Sequence, residues 1–213
     1  MLVAPLIYLL DTSGSMFGSR ITKINQIMKK TINDLKCVIN NEEYAIKVAV
    51  LSFATCCRWI TCGLTDVEKI QWEDLHAEGM TSLGSAFEEL NSVLRREKLL
   101  MVENNQPMLR PVIILFTDGE STDLYEDKLN RLKKNDLFSK SLKFAIGLDN
   151  EINREVLIEF VESDNCLLEE KDFDITPQRT YRCVLAVSVN NWCAIDKEIP
   201  PRSKFLGGVF ASS

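Results

Sequence analysis

The stretch LIYLLDTSGS, residues 6–15, decides the fold. Five apolar residues, Leu6 to Leu10, form a run that suits a strand buried on both faces, and the run stops at Asp11-Thr12-Ser13-Gly14-Ser15. An acid, hydroxyls and a glycine at the end of a buried strand place small oxygen ligands at the edge of a sheet, and that donor set suits a hard divalent cation.

Working outward, Ile21, Ile24, Ile27, Ile32, Leu35 and Ile39 recur at helical spacing with polar residues between them, so an amphipathic helix is expected after the loop. YAIKVAVLSF (44–53) reads as a second strand. Arg58 to Leu64 follows closely enough to be its antiparallel hairpin partner. Beyond the irregular segment 65–79, Leu83, Phe87, Leu90, Val93 and Leu94 mark another helix, running to about Met101. Pro111 to Phe116 is the most hydrophobic run in the chain and ends in Thr117-Asp118-Gly119. A helix over Leu124–Phe138, a strand over Leu142–Leu148, a helix over Arg154–Glu162 and a short strand over Cys166–Leu168 complete the pattern. Strands alternating with helices, the central ones apolar throughout, imply an α/β fold: a three-layer, doubly wound, mainly parallel sheet with one antiparallel edge strand.

In such a sheet, ligands bind beyond the carboxyl ends of the strands, where the strand order reverses. Asp11 and Asp118 both end strands. The Gly79-Met80-Thr81-Ser82-Leu83 turn lies between them in sequence, at the start of a helix, where a hydroxyl and a partly positive helix end are available. Asp11, Ser13, Ser15, Thr81 and Asp118 are therefore the oxygen-bearing residues expected at that end of the sheet. Met16, Phe17 and His76 are expected on the rim facing a partner. Glu120, Ser121 and Asp123 are expected to cap the helix that follows them.

These residues, in this order, resemble the metal-ion-dependent adhesion site of von Willebrand factor type A domains, over roughly residues 1–172, with 173–213 as a C-terminal extension. The resemblance implies strand order 3-2-1-4-5-6. It implies Mg²⁺ or Mn²⁺ held directly by Ser13 and Ser15, with Thr81 and the two acids acting directly or through water. One coordination position then remains for a carboxylate from a protein partner. Neutral hydroxyls leave the ion electrophilic enough to take that outside acid. The wording of YLLDTSGSM, GMTSLGSAF and LFTDGESTD is similar to intracellular bacterial relatives of the tellurium-resistance type, which implies a scaffold in a metal-stress complex.

Other chemistries fit less well. Ser19-Arg20 stands where a phosphate-binding loop needs Lys-Ser/Thr. A metal-dependent phosphotransfer enzyme using Asp11 as nucleophile is the rival reading, but its usual second acid, two residues on, is Ser13 here. A non-enzymatic binding module is expected. The net charge of -6 and pI near 5.0 argue against nucleic acid as partner. The seven cysteines include no CxxC pair, and with one histidine, His76, a structural zinc site has little support. Cys57 and Cys62, flanking the expected hairpin, leave a disulfide open. Leu2 to Leu10 has neither the basic flank nor the cleavage site of a signal peptide, and no apolar run is long enough to span a membrane, so a cytoplasmic location is expected.

Overall fold

A computed structural model describes residues 2–38, 44–95, 108–148 and 152–169. Along the chain run β1 (Leu2–Asp11), α1 (Ser19–Val38), β2 (Tyr44–Phe53), β3 (Cys57–Trp59), β4 (Thr65–Asp66), α2 (Leu83–Arg95), β5 (Val112–Phe116), α3 (Glu126–Lys133), α4 (Asp136–Lys140), β6 (Leu142–Gly147), α5 (Arg154–Val161) and β7 (Leu167–Glu169). One sheet of order β3-β2-β1-β5-β6-β7 contains them, with β4 also paired to β2. β1, β2, β5, β6 and β7 are parallel, whereas β3 and β4 meet β2 antiparallel. With the two short antiparallel pieces counted as one edge strand, this is the expected 3-2-1-4-5-6 order.

The apolar runs explain the middle of the sheet. Leu6 to Leu10 and Val112 to Phe116 are fully buried, and they pair residue for residue from Leu6↔Val112 to Leu10↔Phe116. Crossovers between parallel strands are right-handed. The step from β1 to β2 runs in one direction across the sheet, while the steps onward to β5, β6 and β7 run in the other. This geometry puts α1 on one face and the remaining helices on the opposite face. On that second face Phe87 of α2 stacks on Phe160 of α5 with centroids 5.5 Å apart, and Phe138 of α4 meets the same ring edge-on. α1 turns Ile24, Ile27, Met28, Ile32 and Leu35 inward on its own face.

Two elements differ from expectation. The hairpin strand is shorter than Arg58–Leu64: after Trp59 the Thr61 hydroxyl accepts from the Val50 amide at 2.9 Å, replacing a backbone partner and ending the ladder before the turn at Gly63 (φ 67°). The helix expected over Leu124–Phe138 is two helices. Asn135 interrupts it, its side-chain oxygen capping α4 by accepting from the amides of Leu137 (3.0 Å) and Phe138 (3.3 Å). Cys57 and Cys62 are free thiols. The far end of the helix expected to reach Met101, and the whole C-terminal extension, lie outside the described residues.

Candidate metal centre

The order of the sheet reverses between β1 and β5, and both candidate acids sit at that point. Asp11, the last residue of β1, is fully buried. Its Oδ1 accepts from the Ser13 amide at 2.9 Å and its Oδ2 from the Thr117 hydroxyl at 2.6 Å. Burial pushes its carboxyl up to about 6; the hydrogen bonds from Ser13 and Thr117 oppose that, and the negative charge of Asp118 adds to it.

The chain leaves β1 through a single 3₁₀ turn, Gly14–Met16. Here the Ser13 and Ser15 hydroxyl oxygens come to 3.0 Å of each other. The Gly14 amide donates to the Gly79 carbonyl at 2.9 Å and the Glu78 amide to the Thr12 carbonyl at 2.8 Å, tying this loop to the one that carries Thr81. A Cβ at Gly14 would stand 3.1 Å from the Gly79 oxygen, so a side chain there would press on that contact. Thr81 is buried, and its carbonyl accepts from both the amide and the hydroxyl of Thr122 at 2.8 Å. Three loops, separated widely in sequence, are thus hydrogen-bonded into one surface.

Asp118 closes the far side. Its Oδ1 accepts from the Glu120 amide at 3.0 Å, and its Oδ2 forms a 3.0 Å ion pair with Nη1 of Arg20. The same Nη1 donates to the Ser15 carbonyl at 3.0 Å. Gly119 has φ 82°, and a Cβ there would lie 2.8 Å from the Asn153 carbonyl, so this turn depends on glycine.

Of the rim residues, Phe17 is exposed at 79%. Met16 is a correction: the 3₁₀ turn rotates its side chain inward, and it is fully buried in the core. His76 is exposed and lines a cleft of about 550 Å³ beside the site, together with Thr12, Thr55, Arg58, Asp74 and Glu78. Sequence patterning missed Met80 (59% exposed) and Leu124 (84%), which with Phe17 are the exposed large hydrophobic residues of the described chain. Phe17 lies two residues after Ser15, Met80 one before Thr81 and Leu124 six after Asp118. It also missed Arg20, whose signal was a basic residue in the first turn of a helix. Asp123 caps a helix, but not the one that follows it: its carboxylate accepts from the amides of Gly84 (2.9 Å) and Ser85 (3.1 Å) at the start of α2.

The donor set fits a small divalent cation. Ligands at 2.0–2.1 Å on neighbouring octahedral positions lie about 3 Å apart, which is the separation of the Ser13 and Ser15 hydroxyls. Among the described residues no three His, Cys, Asp or Glu side chains cluster as ligands, so a cation here depends on hydroxyl oxygens backed by two acids. A positive group is already accommodated at the site, in the guanidinium of Arg20.

The family model described as "von Willebrand factor type A domain" matches residues 6–180. No curated protein matches the chain. Among solved structures, proximal thread matrix protein 1 from the mussel byssus is 15% identical, with a TM-score of 0.62 over 88% of this chain and 48% of its own. A von Willebrand factor type A protein from Catenulispora acidiphila is also 15% identical at TM-score 0.62, over 88% and 43%. The mussel protein "with zinc occupied MIDAS motif" is 20% identical at TM-score 0.52, over 79% and 41%. The chain spans less than half the length of each of these proteins, and at these identities the likeness is one of fold.

Proposed function

Since the chain belongs to the von Willebrand factor type A domain family, whose members bind other proteins, commonly through a divalent metal, we propose that it is a protein-binding module dependent on Mg²⁺ or Mn²⁺ and completed by an acidic side chain of its partner. The observation that carries this reading is the 3.0 Å pair of Ser13 and Ser15 hydroxyls at the strand-order reversal, with Asp11 and Asp118 behind it. Ser13 and Ser15 would hold the ion directly, and Thr81, Asp11 and Asp118 directly or through water. When bound, the ion supplies a Lewis-acidic position for an outside carboxylate.

The chain's own residues prepare the rest. Thr117 and the Ser13 amide fix the Asp11 carboxylate, so its charge faces the loop without freedom to rotate. Phe17, Met80 and Leu124 stand on the three loops that carry the site and offer apolar contact beside the partner's acid. Binding is favoured over phosphotransfer because Asp11 is fully buried, which keeps a phosphoester from an in-line approach to its carboxylate, and because Ser13 stands where a second acid would be needed. Among the described residues no helix is long and apolar enough to cross a membrane. The exposed free thiols Cys37, Cys56 and Cys62 suit a reducing compartment. The reading includes a cytoplasmic location and a role as scaffold of a tellurium-resistance-type metal-stress complex, the latter supported by the wording of YLLDTSGSM, GMTSLGSAF and LFTDGESTD.

The test is calorimetric titration of Mg²⁺ and Mn²⁺ into chelator-stripped protein. One saturable site in the wild type, lost in Ser13→Ala and in Asp118→Ala with the circular dichroism unchanged, is the expected result. Absence of uptake by the wild type would overturn the proposal.

A further inference from the structure

Arg20 is the second residue of α1, and a cation in the first turn of a helix opposes the helix dipole. α1 has no acidic residue in that turn to offset it. The side chain is nonetheless held close, 17% exposed, with a single nitrogen bridging the Asp118 carboxylate and the Ser15 carbonyl at 3.0 Å each. Asp118 itself is 3% exposed, so without a positive neighbour its charge would be costly to bury.

We propose that Arg20 is the resident counter-cation of the metal centre, competing with the divalent ion for Asp118. It rests on the metal-binding reading above. In the metal-free protein the guanidinium neutralises Asp118 and secures the Ser13–Ser15 loop through the Ser15 carbonyl. Whether Asp118 serves the ion directly or through water, the ion and the Arg20 guanidinium draw on the same carboxylate charge. The chain therefore takes up metal less tightly than its bare oxygen donors would, and it stays folded without metal. Arg20 sets a concentration threshold, below which the site is closed by its own side chain.

Calorimetry of Mn²⁺ into the chelator-stripped full chain tests this, comparing wild type, Arg20→Gln and, as a control for the site, Ser13→Ala. Loss of a charged hydrogen bond from the competing state predicts Mn²⁺ binding about tenfold tighter in Arg20→Gln. Its melting temperature should be lower than the wild type's in chelator, and the deficit should vanish in saturating Mn²⁺. Equal or weaker Mn²⁺ binding by Arg20→Gln, with the wild type still binding, would overturn the competition and leave the metal site standing. No uptake by either would remove both. Independently of the variant's folding, the Arg20 Nε–Hε resonance of the wild type should shift on saturation with diamagnetic Mg²⁺; an unmoved resonance in Mg²⁺-loaded protein overturns the proposal.

Discussion

The Thr117 hydroxyl donates to Asp11 Oδ2 at 2.6 Å, joining residues 106 positions apart across the point where the strand order reverses. Oγ1 of Thr117 in turn accepts from the Gly119 amide at 3.0 Å, so this one side chain satisfies two buried groups. Thr117→Val preserves shape and removes both bonds, and it should cost about 2 kcal/mol of stability in urea unfolding. Thr117→Ser keeps the hydroxyl and should recover most of that. Equal stability of the two variants would show that the hydroxyl contributes nothing.

Asp11 gives the metal-free protein a defined pH dependence. Its carboxyl is raised by burial from 3.8 to about 6, so between those values the folded chain binds more protons than the unfolded one. Stability then falls as pH rises through that window, by about 3 kcal/mol from this group. In chelator, Asp11→Asn should gain on the wild type between pH 4.5 and pH 7.5 in denaturant titrations. Saturating Mg²⁺ should shrink the difference at pH 7.5. A gap between the two proteins that ignores pH would refute the assignment.

Asp123 should prove a helix cap acting from a distance. Burial would raise its carboxyl, but donation from the Gly84 amide, the Ser121 hydroxyl and the Ser85 amide outweighs it and holds the group below the usual carboxylate range. Asp123→Ala is expected to cost about 1–2 kcal/mol, with Asp123→Asn intermediate. Because the folded carboxyl is the more acidic one, the advantage of wild type over Asp123→Ala is present above about pH 4 and is lost as pH falls further. Unfolding at pH 7 and pH 3 measures it.

The three exposed apolar residues are expected to matter for binding and not for folding. Phe17→Ser, Met80→Ser and Leu124→Ser should each change stability by less than about 0.5 kcal/mol. Combined, they should reduce chelator-sensitive retention of a partner by about tenfold or more, as loss of an apolar anchor does. Undiminished retention by the triple variant would place the partner elsewhere on the surface.

Much of this was legible from residue order. The run ending at Asp11 and the run ending before Asp118 announce buried parallel strands, because only strands covered on both faces tolerate five successive apolar residues such as Val112 to Phe116. Thr81 could be placed at the same end because it opens a helix. What escaped depends on contacts between segments distant in sequence. Asp123 looked like a cap for its own helix, since nothing local reveals that Gly84 and Ser85 lie against it. Met16 looked like a rim residue because the direction of a side chain in a 3₁₀ turn is set by what the turn packs on. Arg20 entered the sequence reading only as a departure from a phosphate-binding loop, because its partner Asp118 lies 98 residues later.

The pairing of β1 between β2 and β5 also dictates when the site comes into being. In chain order β1 and β2 both precede β5, so the backbone N–H and C=O groups on one edge of β1 have no sheet partner until β5 has been made. An unpaired central strand is a template for wrong partners, so this interval is where aggregation and chaperone capture concentrate. Until it ends, Thr117 is not beside Asp11, and the loops that carry Ser13, Thr81 and Asp118 have no common anchor. The site thus exists only in chains whose sheet has closed on both sides of β1.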